Sequence, residues 1–142
     1  MTGRLAVPGV LFLCVHNAGR SQMAAGWLRA LAGDQVEVYS AGSEPASHLN
    51  PAVVEAMSEV GISLAGERPR AWNDAMLAAV GLVVTMGCGD TCPIYPGVRY
   101  IDWEVEDPAG QDLTAVRRIR DDIKQRVETL LVELGVSNEV TR

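Results

Sequence analysis

Cations are the minority in this chain: 12 Lys and Arg stand against 18 Asp and Glu, a net charge of −6. A nucleic-acid surface needs clustered Lys and Arg against the phosphates, so the charge balance argues against that class of partner. An anionic ligand would have to be held by local dipoles and one placed cation, not by a global field. Long hydrophobic runs are missing too. No stretch of about 18 or more apolar residues exists, so nothing reads as a membrane span, and Met1 to Pro8 lacks the apolar centre of a secretory signal. Three cysteines, an odd number, make no secreted disulfide framework. They fit a reducing, cytoplasmic setting, in catalytic or redox roles. Internal repeats, linkers and low-complexity tracts are also lacking.

What is present is the composition of a globular protein, 48% hydrophobic and 21% charged over 142 residues, enough for one domain spanning 1–142 with a real core. The chain is organised around Val10 to Ser21, V-L-F-L-C-V-H-N-A-G-R-S. Its apolar, β-prone start reads as a buried strand, Val10 to Leu13. A tight loop follows, then a helix from about Arg20 to Leu31 with apolar residues on a helical period. Loop N–H groups and the first helical turn would face one small space, an anion site. Cys14 sits at the strand end, where N–H dipoles and the Arg20 guanidinium favour the thiolate. Arg20 offers a planar fork for two oxygens of a tetrahedral oxyanion. Ser21 can donate its hydroxyl to the sulfur, and Asn17 and Gly19 suit turns with positive φ.

The rest alternates strands and helices. Val36 to Ser40 reads as a second strand stopped by Ala41-Gly42, and Asn50-Pro51 as the cap of a helix ending at Gly61. Trp72 to Val80 reads as a short helix, Gly81 to Met86 as a strand buried on both faces, and Val98 to Trp103 as a fourth strand. About Asp112 to Leu134 forms an amphipathic helix whose charges read as a solvated face. This order gives an α/β domain with a parallel sheet. Cys14, Gly87 to Cys92 and Asp107 all follow strands, so they can meet at the carboxyl edge where such sheets hold ligands.

Cys88 and Cys92 lie four positions apart in a glycine-rich loop. One helical turn would bring their Cα atoms to roughly 6 Å, within disulfide range. A redox pair, a zinc site and two incidental loop cysteines remain the readings. Zinc needs about four ligands, and His16 and His48 have no usual spacing to supply them. Asp107-Pro108, taken alone, is a turn signal that holds Asp107 extended.

C-x5-R-S near the N-terminus resembles the low-molecular-weight protein tyrosine phosphatase fold, and Arg20-Ser21-Gln22-Met23-Ala24 is similar to its arsenate reductase branch. Ser40-Ala41-Gly42, Asn50-Pro51, Val84-Thr85-Met86 and Asp107-Pro108-Ala109-Gly110 extend the resemblance over essentially the whole chain. It implies a four-stranded parallel sheet with helices on both faces. It implies an oxyanion loop of Val15, His16, Asn17, Ala18, Gly19 and Arg20, with Cys14 as nucleophile, Ser21 beside it and Asp107 as general acid. No cofactor and no metal are expected, and the substrate would be arsenate with phosphate as a competing oxyanion.

For the later steps the resemblance implies that Cys88 attacks Cys14 and Cys92 resolves the disulfide, with thioredoxin as reductant. Three departures stand out. Gly19 replaces the second cysteine that many relatives carry before the arginine. Cys88 and Cys92 are closer together than in many thioredoxin-coupled relatives. Ala25 stands where some relatives have a potassium-binding glutamate, so no such site is expected. The alternatives are a phosphotyrosine phosphatase, an arsenate reductase using mycothiol and a redoxin, and a non-enzymatic oxyanion or thiol-redox sensor. Against the phosphatase, Ala109-Gly110 follow the Asp-Pro where phosphatases of this fold carry aromatic residues.

Overall fold

The computed structural model describes residues 8–87 and 96–136. Strand β1 (Gly9–Cys14) leads into α1 (Arg20–Ala32), a 3-10 turn (Gly33–Gln35) and β2 (Glu37–Gly42). Then come α2 (Pro51–Glu59), α3 (Asp74–Ala79), β3 (Leu82–Thr85), β4 (Arg99–Asp102) and α4 (Leu113–Leu134). The four strands form one sheet in the order β2-β1-β3-β4, with every pairing parallel.

β1 is buried along its whole length because it lies between two strands and two helical layers. Its side chains alternate between the layers, as the two-residue period of a strand requires. Val10, Phe12 and Cys14 face a core with Met23, Trp27 and Leu28 of α1, Met57 of α2 and Val116, Ile119 and Ile123 of α4. Leu11 and Leu13 face the other side, with Ala41, Leu77, Val80 and Val83. Helices therefore cover both faces of the sheet. Each large side chain fully buried in this way contributes about 1.5–3 kcal/mol relative to exposure.

The chain leaves β1 for β2 on one side and later returns to β3 on the other. The carboxyl end of β1 is thus the point where the winding reverses, and a crevice opens there in sheets of this kind. Cys14 is the last residue of that strand.

Capping residues set the helix boundaries. Asn50 accepts from Ala52 N at 2.9 Å ahead of Pro51, and Asp112 accepts from Ala115 N at 2.9 Å. Asn73 accepts from Met76 N at 2.8 Å. That cap starts α3 at Asp74, two residues later than the periodicity from Trp72 suggests. β2 also differs from expectation: it runs through Ala41 to Gly42, because Gly42 pairs with Cys14. The charged side of α4 is not solvated throughout. Arg120 is buried, donating to Ala56 O at 2.9 Å and to Glu59 Oε1 at 3.1 Å, which ties α4 to α2. Trp27 Nε1 donates to Arg120 O at 3.2 Å from α1.

Candidate active site

The loop from Cys14 to Arg20 is shaped by what holds its carbonyl groups. Cys14 O accepts from Ser43 N at 3.2 Å, Val15 O from Glu44 N at 2.8 Å, His16 O from Ala46 N at 3.0 Å and Ala18 O from Asn50 N at 3.0 Å. The segment after β2 therefore draws these carbonyls outward. In a trans peptide the next residue's N–H points the opposite way, and the described residues contain no cis bond. The N–H groups of Val15, His16, Asn17 and Gly19 are left on the inner side. Asn17 N bears this out by donating to Cys14 Sγ at 3.3 Å. α1 begins at Arg20 with no side-chain cap on its first turn, so its free N–H groups add to the same positive end.

Gly42 makes this wrapping possible. A Cβ there would stand 2.6 Å from Val15 O and 3.0 Å from Asn17 N, closer than real side chains come. Nothing in the local sequence marks that contact, because it joins two segments far apart along the chain.

Asn17 is the only non-glycine residue with positive φ among the described residues, at 52°. It is fully buried, and its amide is fixed from both ends. Its Oδ1 accepts from Arg70 N at 3.0 Å and from Gln22 Nε2 at 3.1 Å. Its Nδ2 donates to Ser21 Oγ at 2.6 Å. Gln22 also donates to Asn17 O at 3.2 Å and to Arg68 O at 3.3 Å. Gln22 is thus a buried tether of the loop that sequence reading missed. A polar residue inside a helical apolar run gives no sign of which backbone it will meet.

The Asn17 amide decides what Ser21 can do. Because Ser21 Oγ accepts from Asn17, its single proton is free for Cys14 Sγ, 2.9 Å away. As a thiolate, the sulfur buried at the sheet edge would have two donors, the Ser21 hydroxyl and the Asn17 N–H. Both interactions strengthen when sulfur carries negative charge.

Arg20 is also buried, and its Nη2 lies 3.5 Å from Asp107 Oδ2. Asp107 itself is exposed, and its Oδ1 accepts from Ala109 N at 3.0 Å, which closes the Asp-Pro turn. Pro108 packs on the loop at Gly19, where a Cβ would meet Pro108 Cγ at 2.7 Å. A cavity of about 30 Å³ is lined by Cys14, His16, Ala18, Arg20, Asn50 and Asp107, among others. It has room for a small ion above Cys14. Cys14, Arg20, Ser21 and Asp107 thus meet as expected, together with the 15–19 loop. Cys88 and Cys92 lie outside the described residues.

This geometry can seat a tetrahedral oxyanion over a thiol, clamp it with a guanidinium and place a carboxyl group on its outer side. The family model described as low molecular weight phosphotyrosine protein phosphatase matches residues 9–140. An arsenate reductase of Staphylococcus epidermidis is 40% identical over 84% of this chain and 93% of its own length. A thioredoxin-dependent arsenate reductase of Corynebacterium glutamicum superposes with a TM-score of 0.81 and 46% identity, over 91% of this chain. This chain spans 62% of that protein's length. An arsenate reductase solved in a phosphate-binding state gives a TM-score of 0.77 and 32% identity, over 89% of this chain and 98% of its own. The chain belongs to the low molecular weight phosphotyrosine protein phosphatase family.

Proposed function

We propose that the protein reduces arsenate to arsenite at Cys14 and is regenerated by thioredoxin. The observation that carries this reading is the cavity of about 30 Å³ in which Cys14, Arg20 and Asp107 converge. Its thiol, guanidinium and carboxyl group suit a tetrahedral oxyanion such as arsenate, and the Ala109-Gly110 sequence after Asp107-Pro108 builds no aromatic wall for a phosphotyrosine ring. Relatives named arsenate reductases, matched over most of their length, support the same substrate.

In the first step the Cys14 thiolate attacks arsenic(V) and a sulfur–arsenic bond forms. An arsenate oxygen leaves as water, taking its proton from Asp107. Arg20 and the loop N–H groups hold the remaining oxygens, whose charge grows in the transition state. Next, the Cys88 thiolate attacks Cys14 Sγ. The sulfur–arsenic bond breaks and its electron pair stays on arsenic, which leaves as arsenite, arsenic(III). Cys14 and Cys88 are then joined, oxidised by the two electrons arsenic gained. Cys92 attacks Cys88, frees Cys14 and leaves a Cys88–Cys92 disulfide for the thioredoxin dithiol to reduce.

The test is steady-state turnover with arsenate, thioredoxin, thioredoxin reductase and NADPH. Parallel arms use mycothiol with its redoxin, and p-nitrophenyl phosphate. Turnover in the thioredoxin arm is expected. Turnover confined to the mycothiol arm would reassign the reductant, and efficient phosphate-ester hydrolysis without arsenate turnover would reassign the reaction.

A further inference from the structure

Arg20 meets its carboxylate partner on one side, and its other side rests against backbone. Gly87, which follows β3 and Met86, has φ +96°, and a Cβ built there would stand 2.5 Å from Arg20 Nη1 and 3.4 Å from Arg20 Cζ. The guanidinium occupies the place of the missing side chain. Asp107 faces the same group at 3.5 Å. Arg20 is therefore held between a glycine and a carboxylate.

We propose that Gly87 is a positioning residue for the oxyanion clamp: its lack of a side chain sets where the Arg20 guanidinium stands. This rests on the reading that Arg20 holds the oxyanion. A Cβ at Gly87 would meet the far end of a flexible side chain, so the fold can absorb it by swinging Arg20 aside. Such a swing costs little in packing. It removes the bidentate fit to two oxyanion oxygens, which depends on the pose of a planar fork. Loss at Gly87 should thus appear in oxyanion affinity more than in stability.

Positive φ adds a strain of its own for any L residue, and Gly61 isolates that contribution. Gly61 has φ +82°, and a Cβ there meets nothing within 4 Å. Gly61→Ala carries the backbone strain without the contact to Arg20.

The experiment measures protection of Cys14 from iodoacetamide by inorganic phosphate, read by mass spectrometry of the Cys14 peptide. It needs no arsenate turnover. Gly87→Ala is expected to raise the half-protecting phosphate concentration on the order of tenfold, and Gly61→Ala less than about twofold. Gly87→Asn, whose side chain tolerates positive φ best, carries the same test should the alanine variant not fold. In an Arg20→Lys background either Gly87 substitution should shift protection by less than about twofold, because the clashing fork is gone. Equal protection in Gly87→Ala, Gly87→Asn and wild type would overturn the proposal, as would the same loss with Arg20 replaced. Failure of phosphate to protect the wild-type protein would instead overturn the reading of the loop as an oxyanion site.

Discussion

Ser21 Oγ stands 2.9 Å from Cys14 Sγ with its proton available to the sulfur, since Asn17 Nδ2 already occupies an oxygen lone pair at 2.6 Å. Once Cys14 is a thiolate, that hydroxyl can serve it only as a donor. Three side chains from one strand end, one loop and one helix start make a single hydrogen-bonded unit around the thiol.

Ser21→Ala removes one of two donors to that sulfur and leaves Asn17 N–H in place. A hydrogen bond to a charged acceptor is worth about 1.5–3 kcal/mol, so kcat/KM for arsenate should fall between roughly 10- and 150-fold. Ser21→Thr keeps the hydroxyl and should recover most of the loss. Kinetics of both variants check this, and unchanged kcat/KM in Ser21→Ala would mean the hydroxyl does not act on the sulfur.

Arg20→Lys keeps the charge and loses the fork. It should lower kcat/KM at least about tenfold, or ~1.4 kcal/mol. Near-wild-type kinetics would show that charge alone suffices.

Asp107→Asn separates chemistry from binding. The carboxyl group proposed to protonate the leaving oxygen is gone, and kcat should drop about 100-fold, a typical general-acid contribution. The negative charge 3.5 Å from Arg20 is gone too. Inhibition by inorganic phosphate should therefore be undiminished or stronger. Measuring kcat and the phosphate inhibition constant in one variant reads both effects, and a parallel loss of phosphate binding would contradict the division of roles.

The α2–α4 contact predicts a stability effect in acid. Hydrogen bonds from Arg117 hold the Glu59 carboxyl below the usual carboxylate range, partly opposed by desolvation, with Arg120 adding to the lowering. A carboxyl depressed in the folded state contributes stability above its unfolded pKa, about 4.3 for Glu, and loses it as pH falls through the lower folded value. Glu59→Gln should lower Tm near pH 7 and have a smaller effect near pH 3. An equal change at both pH values would show that the carboxylate charge is not involved.

Much of this arrangement was legible in the sequence because it is local. The apolar run before Cys14, the five residues to Arg20 and the helical period after it mark strand, loop and helix locally, although the loop's final shape depends on the segment after β2. Asn50, Asn73 and Asp112 announce helix starts by the same local chemistry, though the cap at Asn73 sharpened a boundary that periodicity had placed at Trp72. What stayed hidden works across the chain. Gly42 matters because Val15 passes over it, Gln22 because Arg68 returns beside it, Arg120 because α2 offers it Ala56 O and Glu59, and Gly87 because Arg20 lies on it. Each looks ordinary among its sequence neighbours.

The most direct test of arsenate reduction at Cys14 is a single turnover without external reductant. Fully reduced Cys92→Ser protein is mixed with excess arsenate, and arsenite and intact protein mass are measured together. One arsenite per chain is expected, with a Cys14–Cys88 disulfide and no further turnover. Chains that carry that disulfide in proportion to arsenite released would tie the two electrons arsenic gains to these two thiols. Arsenite formed in equal yield by Cys14→Ser would contradict reduction at Cys14, and absence of arsenite would contradict its resolution by Cys88.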